Sequence, residues 1–118
     1  MIASQYFPIE DVSSLRIHSY CKSLVNAGAD LNVLIIYPSA KGITANGIYD
    51  GVRYQFVSKD YYPDIKFFAK IYLRFKGLYY ICQFINKENI EAVLSYHDNY
   101  LTNLVVRLFT LFKSIPYI

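Results

Sequence analysis

The chain has 118 residues, of which 54% are apolar and 18% are charged, and its net charge is +3 at pH 7. This composition excludes an intrinsically disordered chain, and the length suits one small domain. The charge is uneven, because residues 65–87 contain five basic residues and no acidic one, which gives +5 there and −2 in the remainder. An anionic partner is therefore expected near that one segment.

The cysteines and the apolar runs exclude several classes of protein. Cys21 and Cys82 are isolated in the sequence, without the CxxC or Cys/His spacing of a zinc site. They are predicted to be reduced, buried thiols of a cytoplasmic protein. No signal peptide is predicted, since no cationic region followed by an apolar stretch opens the chain. No membrane span is predicted either, because no run of about 18 apolar residues is present.

The first half of the chain predicts a strand, a helix and a second strand. A short strand is expected at residues 1–4, and Ser13 and Ser14 are favourable starting residues for the helix. Gly28 predicts the C-terminal end of that helix. LNVLIIY, residues 31–37, is typical of a strand buried on both faces of a parallel sheet. Between Ser14 and Gly28 an apolar stripe recurs at helical spacing, at Ile17, Cys21, Leu24 and Val25.

The second half continues the alternation. Residues 38–51 are predicted to be a loop, because they contain the turn residues Gly42, Asn46 and Gly47. VRYQFV, residues 52–57, predicts a strand nearer an edge of the sheet. The later elements are expected to be a long helix at 65–87 with Gly77 as a weak point, a strand at 91–96, a helix at 99–112, and a last strand that begins at IPYI, residues 115–118.

The predicted order is β-α-β-β-α-β-α-β, which favours right-handed crossovers and an open, mostly parallel sheet with helices on both faces. This is the Rossmann-like α/β class. Residues 1–118 are predicted to be one domain that is truncated at its C-terminal end, because the last apolar strand stops at Ile118. Ligands of such sheets bind beyond the carboxyl ends of the strands. His97, Asp98 and the turn YFPIEDVSS are predicted to lie at that edge.

Several residues near this edge have two interpretations each. His97 either exchanges a proton with a ligand near pH 7 or is a surface histidine with local hydrogen bonds. Asp98 either orients His97 or caps the following helix, and the cap is favoured. Arg16 either meets a phosphate or is a solvated helix residue. Ser13 and Ser14, at a helix N-terminus, are candidates for binding an anion.

Three segments, taken in order, resemble a known family. SQYFPIEDVSSLRIHSYCKSLVNAGADLNVLIIYPS, residues 4–39, resembles the opening of GT-B fold glycosyltransferases of retaining family 4. YDGVRYQFV, residues 49–57, looks like the third strand of that family. EAVLSYHDNYLTNLVVRLFTLFKSIPYI, residues 91–118, resembles its later unit, in which a strand ends near a histidine. The chain departs from the family at Val12-Ser13-Ser14, where a glycine-rich loop is usual.

The resemblance implies the N-terminal, acceptor-side domain of a transferase that moves a sugar from a nucleotide-sugar donor to a glycan or lipid-linked saccharide in polysaccharide biosynthesis. In such enzymes a histidine at the position of His97 helps to hold the donor sugar, and the turn at Glu10 and Asp11 contacts the acceptor. No metal and no other cofactor is implied. The second domain, which binds the donor, has no counterpart here, so the isolated chain is expected to be inactive. The alternative is a non-catalytic α/β module that binds a small anion or a partner protein.

The basic segment KFFAKIYLRFKGLYY, residues 66–80, has three interpretations. The first is a helix packed on the sheet with a basic outer stripe formed by Lys66, Lys70 and Arg74. The second is peripheral docking of these residues on an anionic membrane, which would put the protein at the inner face of the membrane. The third is binding to single-stranded nucleic acid. No nucleic-acid partner is predicted, because the aromatic residues are expected to be buried.

Overall fold

A computed structural model of the chain describes residues 1–3, 12–38, 44–58, 66–96 and 99–118. Among these residues no helix is both long enough and apolar enough to cross a membrane. The helices and strands, in chain order, are β1 (Ile2–Ala3), α1 (Val12–Asn26), β2 (Asn32–Pro38), β3 (Asn46–Tyr49), β4 (Val52–Ser58), α2 (Phe67–Lys87), β5 (Ser95–Tyr96) and α3 (Tyr100–Phe112).

The strands form one open sheet in the order β3-β4-β2-β1-β5. β1 pairs in parallel with both β2 and β5, and β2 pairs in parallel with β4. Among the strands of the described residues, only β3 and β4 pair in antiparallel fashion. The prediction of an open, mostly parallel α/β sheet is therefore confirmed.

Each face of the sheet carries its own apolar core, because successive strand residues point to opposite faces. On one face, Val33 and Ile35 of β2 pack with Ile17 and Cys21 of α1. On the other face, Leu34 joins a cluster contributed by α2 and α3, which includes Ile81, Ile85 and Val106. The helices thus cover both faces, as predicted.

α1 follows the predicted pattern closely. It begins at Val12, one residue before the predicted start. At its end Gly28 has a φ of +91°, a conformation that costs little only for glycine. The Gly28 amide donates to the Val25 carbonyl at 2.9 Å and the Ala29 amide to the Leu24 carbonyl at 3.0 Å. These two bonds form the Schellman arrangement that ends many helices.

The prediction of a loop throughout residues 38–51 is wrong for its second part. Residues 46–49 form strand β3, which is hydrogen-bonded to β4. Asp50 and Gly51 join the two strands with φ angles of +47° and +80°. A two-residue Asp-Gly turn of this type matches the twist of a hairpin. β3 is consequently the edge strand, and β4 lies one position inside it.

The later strand is shorter than predicted. Only Ser95 and Tyr96 form β5, although 91–96 was expected to be a strand. Val93 pairs instead with Tyr117 through an isolated parallel bridge, and the Ser95 amide donates to the Ile118 carbonyl at 2.8 Å. The segment IPYI is therefore hydrogen-bonded to residues 93–95, but it forms a single bridge and not the strand that was predicted to begin there.

α2 continues through Gly77 without a break, so this glycine is not a weak point in the helix geometry. A Cβ atom at Gly77 would lie 3.1 Å from Cγ1 of Val57 in β4. The missing side chain thus allows the helix to approach the sheet closely at the penultimate residue of β4.

The effect of Gly77→Ala on stability is expected to depend on Val57. Alanine gains about 1 kcal/mol of helix propensity, but its methyl group is crowded by Val57 Cγ1. In a Val57→Ala background the crowding is gone, so the same substitution should stabilise the chain by about 0.5–1 kcal/mol more than in the parent. Urea unfolding of the four chains measures this difference, and equal effects in both backgrounds would contradict the close approach.

The two thiols are expected to react at different rates. Cys21 is fully buried, and burial raises the pKa of its thiol to about 11. Cys82 is half-buried and free, and burial also raises the pKa of its thiol. At pH 8 an aromatic disulfide reagent should modify Cys82 first and Cys21 only on unfolding, because the reactive species is the exposed thiolate. Cys21→Ser should keep the early reaction, whereas Cys82→Ser should abolish it.

Candidate functional site

The order of the strands places a topological switch point between β1 and β5. From β1 the chain moves through α1 to β2 and then to β4 on one side, and it returns through α2 to β5 on the other side. Ala3 and Tyr96, the last residues of β1 and β5, are direct partners in the sheet. In open α/β sheets a ligand crevice lies beyond the carboxyl ends of two such strands.

Four of the predicted site residues, His97, Asp98, Glu10 and Asp11, lie outside the described residues. What the structure fixes is where their segments leave the sheet. Residues 4–11 follow Ala3, and residues 97–98 follow Tyr96, so both segments start from adjacent positions at the carboxyl edge. The ring of Tyr96 lies 6.3 Å from that of Tyr20 on α1, which fixes α1 beside the end of β5.

The three remaining predicted residues, Ser13, Ser14 and Arg16, lie at the start of α1. Ser14 is only 2% exposed, so its side chain belongs to the packed side of the helix. Ser13 is half-buried and Arg16 is exposed. No acidic residue lies in the first turn of α1 itself, and the nearest acids in the sequence, Glu10 and Asp11, directly precede the helix. Ser13 and Arg16 are therefore the two accessible polar residues of this turn.

The start of α3 corrects the favoured role of Asp98. The N-cap of α3 is Asn99, whose side chain accepts a hydrogen bond from the Thr102 amide at 3.1 Å. Asp98 precedes the cap, so the interpretation of Asp98 as the cap is wrong. One turn further on, Asn103 Oδ1 accepts hydrogen bonds from the Ser95 hydroxyl, at 2.8 Å, and from the Tyr117 hydroxyl. These bonds tie α3 to β5 directly behind the carboxyl edge.

The N-terminal half of α2 precedes the contact of this helix with the end of β4. Gly77 lies against the penultimate residue of β4, and residues 67–76 form a helical length of about 15 Å before it. Lys66, Lys70 and Arg74 are exposed there, as predicted. The predicted burial of the aromatic residues is wrong in this half, since Phe67 is 71% exposed and Phe68 is 83% exposed. We call residues 66–76 the α2 overhang.

A second polar cluster lies at the turn that joins β3 to the amino end of β4. His18 Nε2 and Lys22 Nζ of α1 approach Oδ2 of Asp50 at 3.1 Å and 2.8 Å, and the His18 ring packs against Tyr49 at 5.3 Å. The hydrogen bond and the charge of Lys22 hold the pKa of Asp50 below its ordinary value. His18 therefore serves to join α1 to the β3–β4 turn.

A cavity of about 800 Å³ also lies at the amino edge, between the turns that follow α1 and α2. Its rim carries Asp30, Glu88 and Glu91, and Asp30 forms an ion pair with Arg53. Met1 also lines it. Its amino group donates to the Asn32 carbonyl at 2.6 Å, and burial lowers the pKa of this amine to about 6. No local pattern in the sequence indicates this cavity, because two separate turns build it.

In the part of the chain that the structure describes, no three His, Cys, Asp or Glu side chains are grouped in a way that could hold a metal ion. Comparison of the chain with protein-family models, with curated proteins and with solved structures finds no match. The fold thus defines the class: a mixed α/β protein with an open, mostly parallel five-stranded sheet and three helices, compatible with a Rossmann-like fold.

Asn99→Ala is expected to destabilise the chain by about 1 kcal/mol, because the Thr102 amide loses its hydrogen-bond acceptor. Asn99→Asp supplies an equivalent acceptor and a charge that the helix N-terminus favours, so it should retain the parent stability. Thermal and urea unfolding, followed by circular dichroism, measure both variants. Parent-like stability of Asn99→Ala would show that the side-chain cap contributes nothing, and equal losses in both variants would show that the acceptor does not explain the loss.

Proposed function

We propose that the chain is the N-terminal, acceptor-side domain of a retaining GT-B fold glycosyltransferase. One observation carries the proposal: the adjacent carboxyl ends of β1 and β5 lead directly into the two segments that contain Glu10 with Asp11 and His97 with Asp98. The sequence resemblance at residues 4–39 and 91–118 involves the same two segments. The intact enzyme would transfer a sugar from a nucleotide-sugar donor to a glycan or a lipid-linked saccharide.

In this proposal each polar group at the carboxyl edge has a separate task. Glu10 and Asp11 accept hydrogen bonds from hydroxyl groups of the acceptor, which fixes the attacking hydroxyl near the crevice. His97 holds the donor sugar during transfer. Ser13, Arg16 and the N-terminus of α1 favour negative charge, so they suit a phosphate of the donor or of a lipid-linked acceptor. Most stabilisation of the leaving diphosphate is assigned to a second domain.

A second candidate is a non-catalytic module that binds a small anion. The observation that favours it is the exposed Arg16 beside a helix N-terminus without acidic residues in its first turn. The two candidates differ in what the carboxylates do. An acceptor site needs Glu10 and Asp11, whereas an anion site is weakened by their negative charge.

The acceptor site can be tested on the 118-residue chain by NMR with ¹⁵N labelling and a panel of neutral oligosaccharides. Binding with a Kd of about 1 mM is expected, with shifts at the amides of Ala3, Ser13 and Tyr96. The double variant Glu10→Gln/Asp11→Asn should lose this binding. The matched control Glu88→Gln/Glu91→Gln removes two acids at the amino edge and should retain it. Shifts confined to the amino-edge cavity, or binding of inorganic phosphate alone, would contradict the acceptor site.

The transferase proposal also predicts what the coding sequence contains after Ile118. An in-frame continuation of about 200 residues with a Glu-x7-Glu segment is expected, and a stop codon directly after Ile118 would contradict it. In the whole polypeptide His97→Ala should lower kcat by about a hundredfold, because misplacement of a substrate by about 1 Å can cost that much. A transferase rate from the isolated 118 residues would contradict the assignment of donor binding to a second domain.

A further inference from the structure

The α2 overhang separates its residues into an apolar side and a basic side. At about 100° per residue, Phe67, Phe68, Ile71, Tyr72 and Phe75 occupy one arc of about 140°. The four basic residues of the overhang lie on the remaining arc, and two of them, Arg74 and Lys76, border the apolar arc on either side. The helix is thus amphipathic over this segment, with aromatic residues in four of the five apolar positions.

The side chains of the apolar arc are exposed in the described structure. Phe67, Phe68, Tyr72 and Phe75 are between 60% and 83% exposed, and Ile71 is 37% exposed. The side of α2 that is buried further along, at Leu78, Ile81 and Ile85, overlaps only one border of this arc at about 100° per residue. The arc is therefore an exposed aromatic patch that is largely separate from the side that packs on the sheet, and a patch of this kind marks an interaction surface.

The charges of the overhang indicate what kind of partner fits. Lys66, Lys70, Arg74 and Lys76 are exposed, and none of them forms an ion pair with a described acidic residue. The acids that precede α2 in the sequence, Asp60 and Asp64, lie outside the described residues. When they and Lys59 are counted, the net charge of residues 59–76 is +3. The partner must therefore be anionic as well as apolar.

We propose that the α2 overhang docks on an anionic lipid bilayer and lies in the plane of its surface. Aromatic side chains on one side and cations that border them on both sides are the pattern of interfacial helices, in which the aromatic rings enter the acyl boundary and the cations reach the headgroups. The proposal does not depend on the transferase function, since it follows from α2 alone.

The test uses the 118-residue chain with vesicles of phosphatidylcholine, with and without 30% phosphatidylglycerol. Flotation with the anionic vesicles is expected, and added salt should weaken it. The triple variant Lys66→Gln/Lys70→Gln/Arg74→Gln should bind about 100-fold more weakly, from about fivefold per charge. The matched control Lys87→Gln/Arg107→Gln/Lys113→Gln removes the same net charge from positions outside the overhang. Its affinity for the vesicles should stay within about fivefold of the parent, because the position of the charges matters more than their total.

The absence of tryptophan from the chain allows insertion to be observed directly. Phe68→Trp introduces one fluorophore on the apolar arc, and Phe112→Trp places the control at an equally exposed position, since Phe112 is 85% exposed at the end of α3. A blue shift and quenching by brominated lipid are expected for Phe68→Trp and not for Phe112→Trp. Circular dichroism should show parent-like folding for all variants, because every altered side chain is exposed.

Several results would overturn the proposal. One is the loss of vesicle binding in both charge variants, since net charge alone would then explain it. Another is blue shifts of equal size at both tryptophans, since the docking surface would then not be the overhang. A third is tight binding of single-stranded oligonucleotide, or a dimer that Phe67→Ser/Phe68→Ser dissociates, without any binding to anionic vesicles.

Discussion

The sheet depends on the two residues of β1, which are hydrogen-bonded on both sides. The Ile2 amide donates to the Leu94 carbonyl at 2.8 Å, and the Met1 carbonyl accepts from the Leu34 amide at 2.7 Å. Ile2 belongs to the core beneath α2 and α3, and Ala3 to the core beneath α1. No other described strand joins the β2–β4–β3 part of the sheet to β5. The two apolar cores and the topological switch point therefore all depend on β1.

The fold class was predictable because two strong patterns agree. The apolar run at 31–37 indicates a strand covered on both faces, and the stripe from Ile17 to Val25 indicates the helix that covers one of them. Gly28 was predictable as the end of α1 because a left-handed backbone conformation strongly favours glycine. These signals are local in the sequence, and tertiary packing did not change them.

Other features were not predicted, for reasons that differ. The β3–β4 hairpin had a clear signal, since Asp50-Gly51 lies between alternating residues, but turn residues at 42–47 suggested a loop instead. The choice between Asp98 and Asn99 as the cap depends on where α3 begins, and helix ends are uncertain by one or two residues in any sequence pattern. The exposure of Phe67 and Phe68 depends on where and by which side α2 contacts the sheet, which the helix sequence does not encode. The amino-edge cavity has no local signal at all.

The unbroken course of α2 through Gly77 has a mechanical consequence. A helix of 21 residues is about 31 Å long, and its C-terminal half packs in the cluster that also contains Ile2, Ile81 and Ile85. Because the two halves form one unbroken helix, a load on the exposed half would act on that cluster, and through Ile2 on the middle of the sheet.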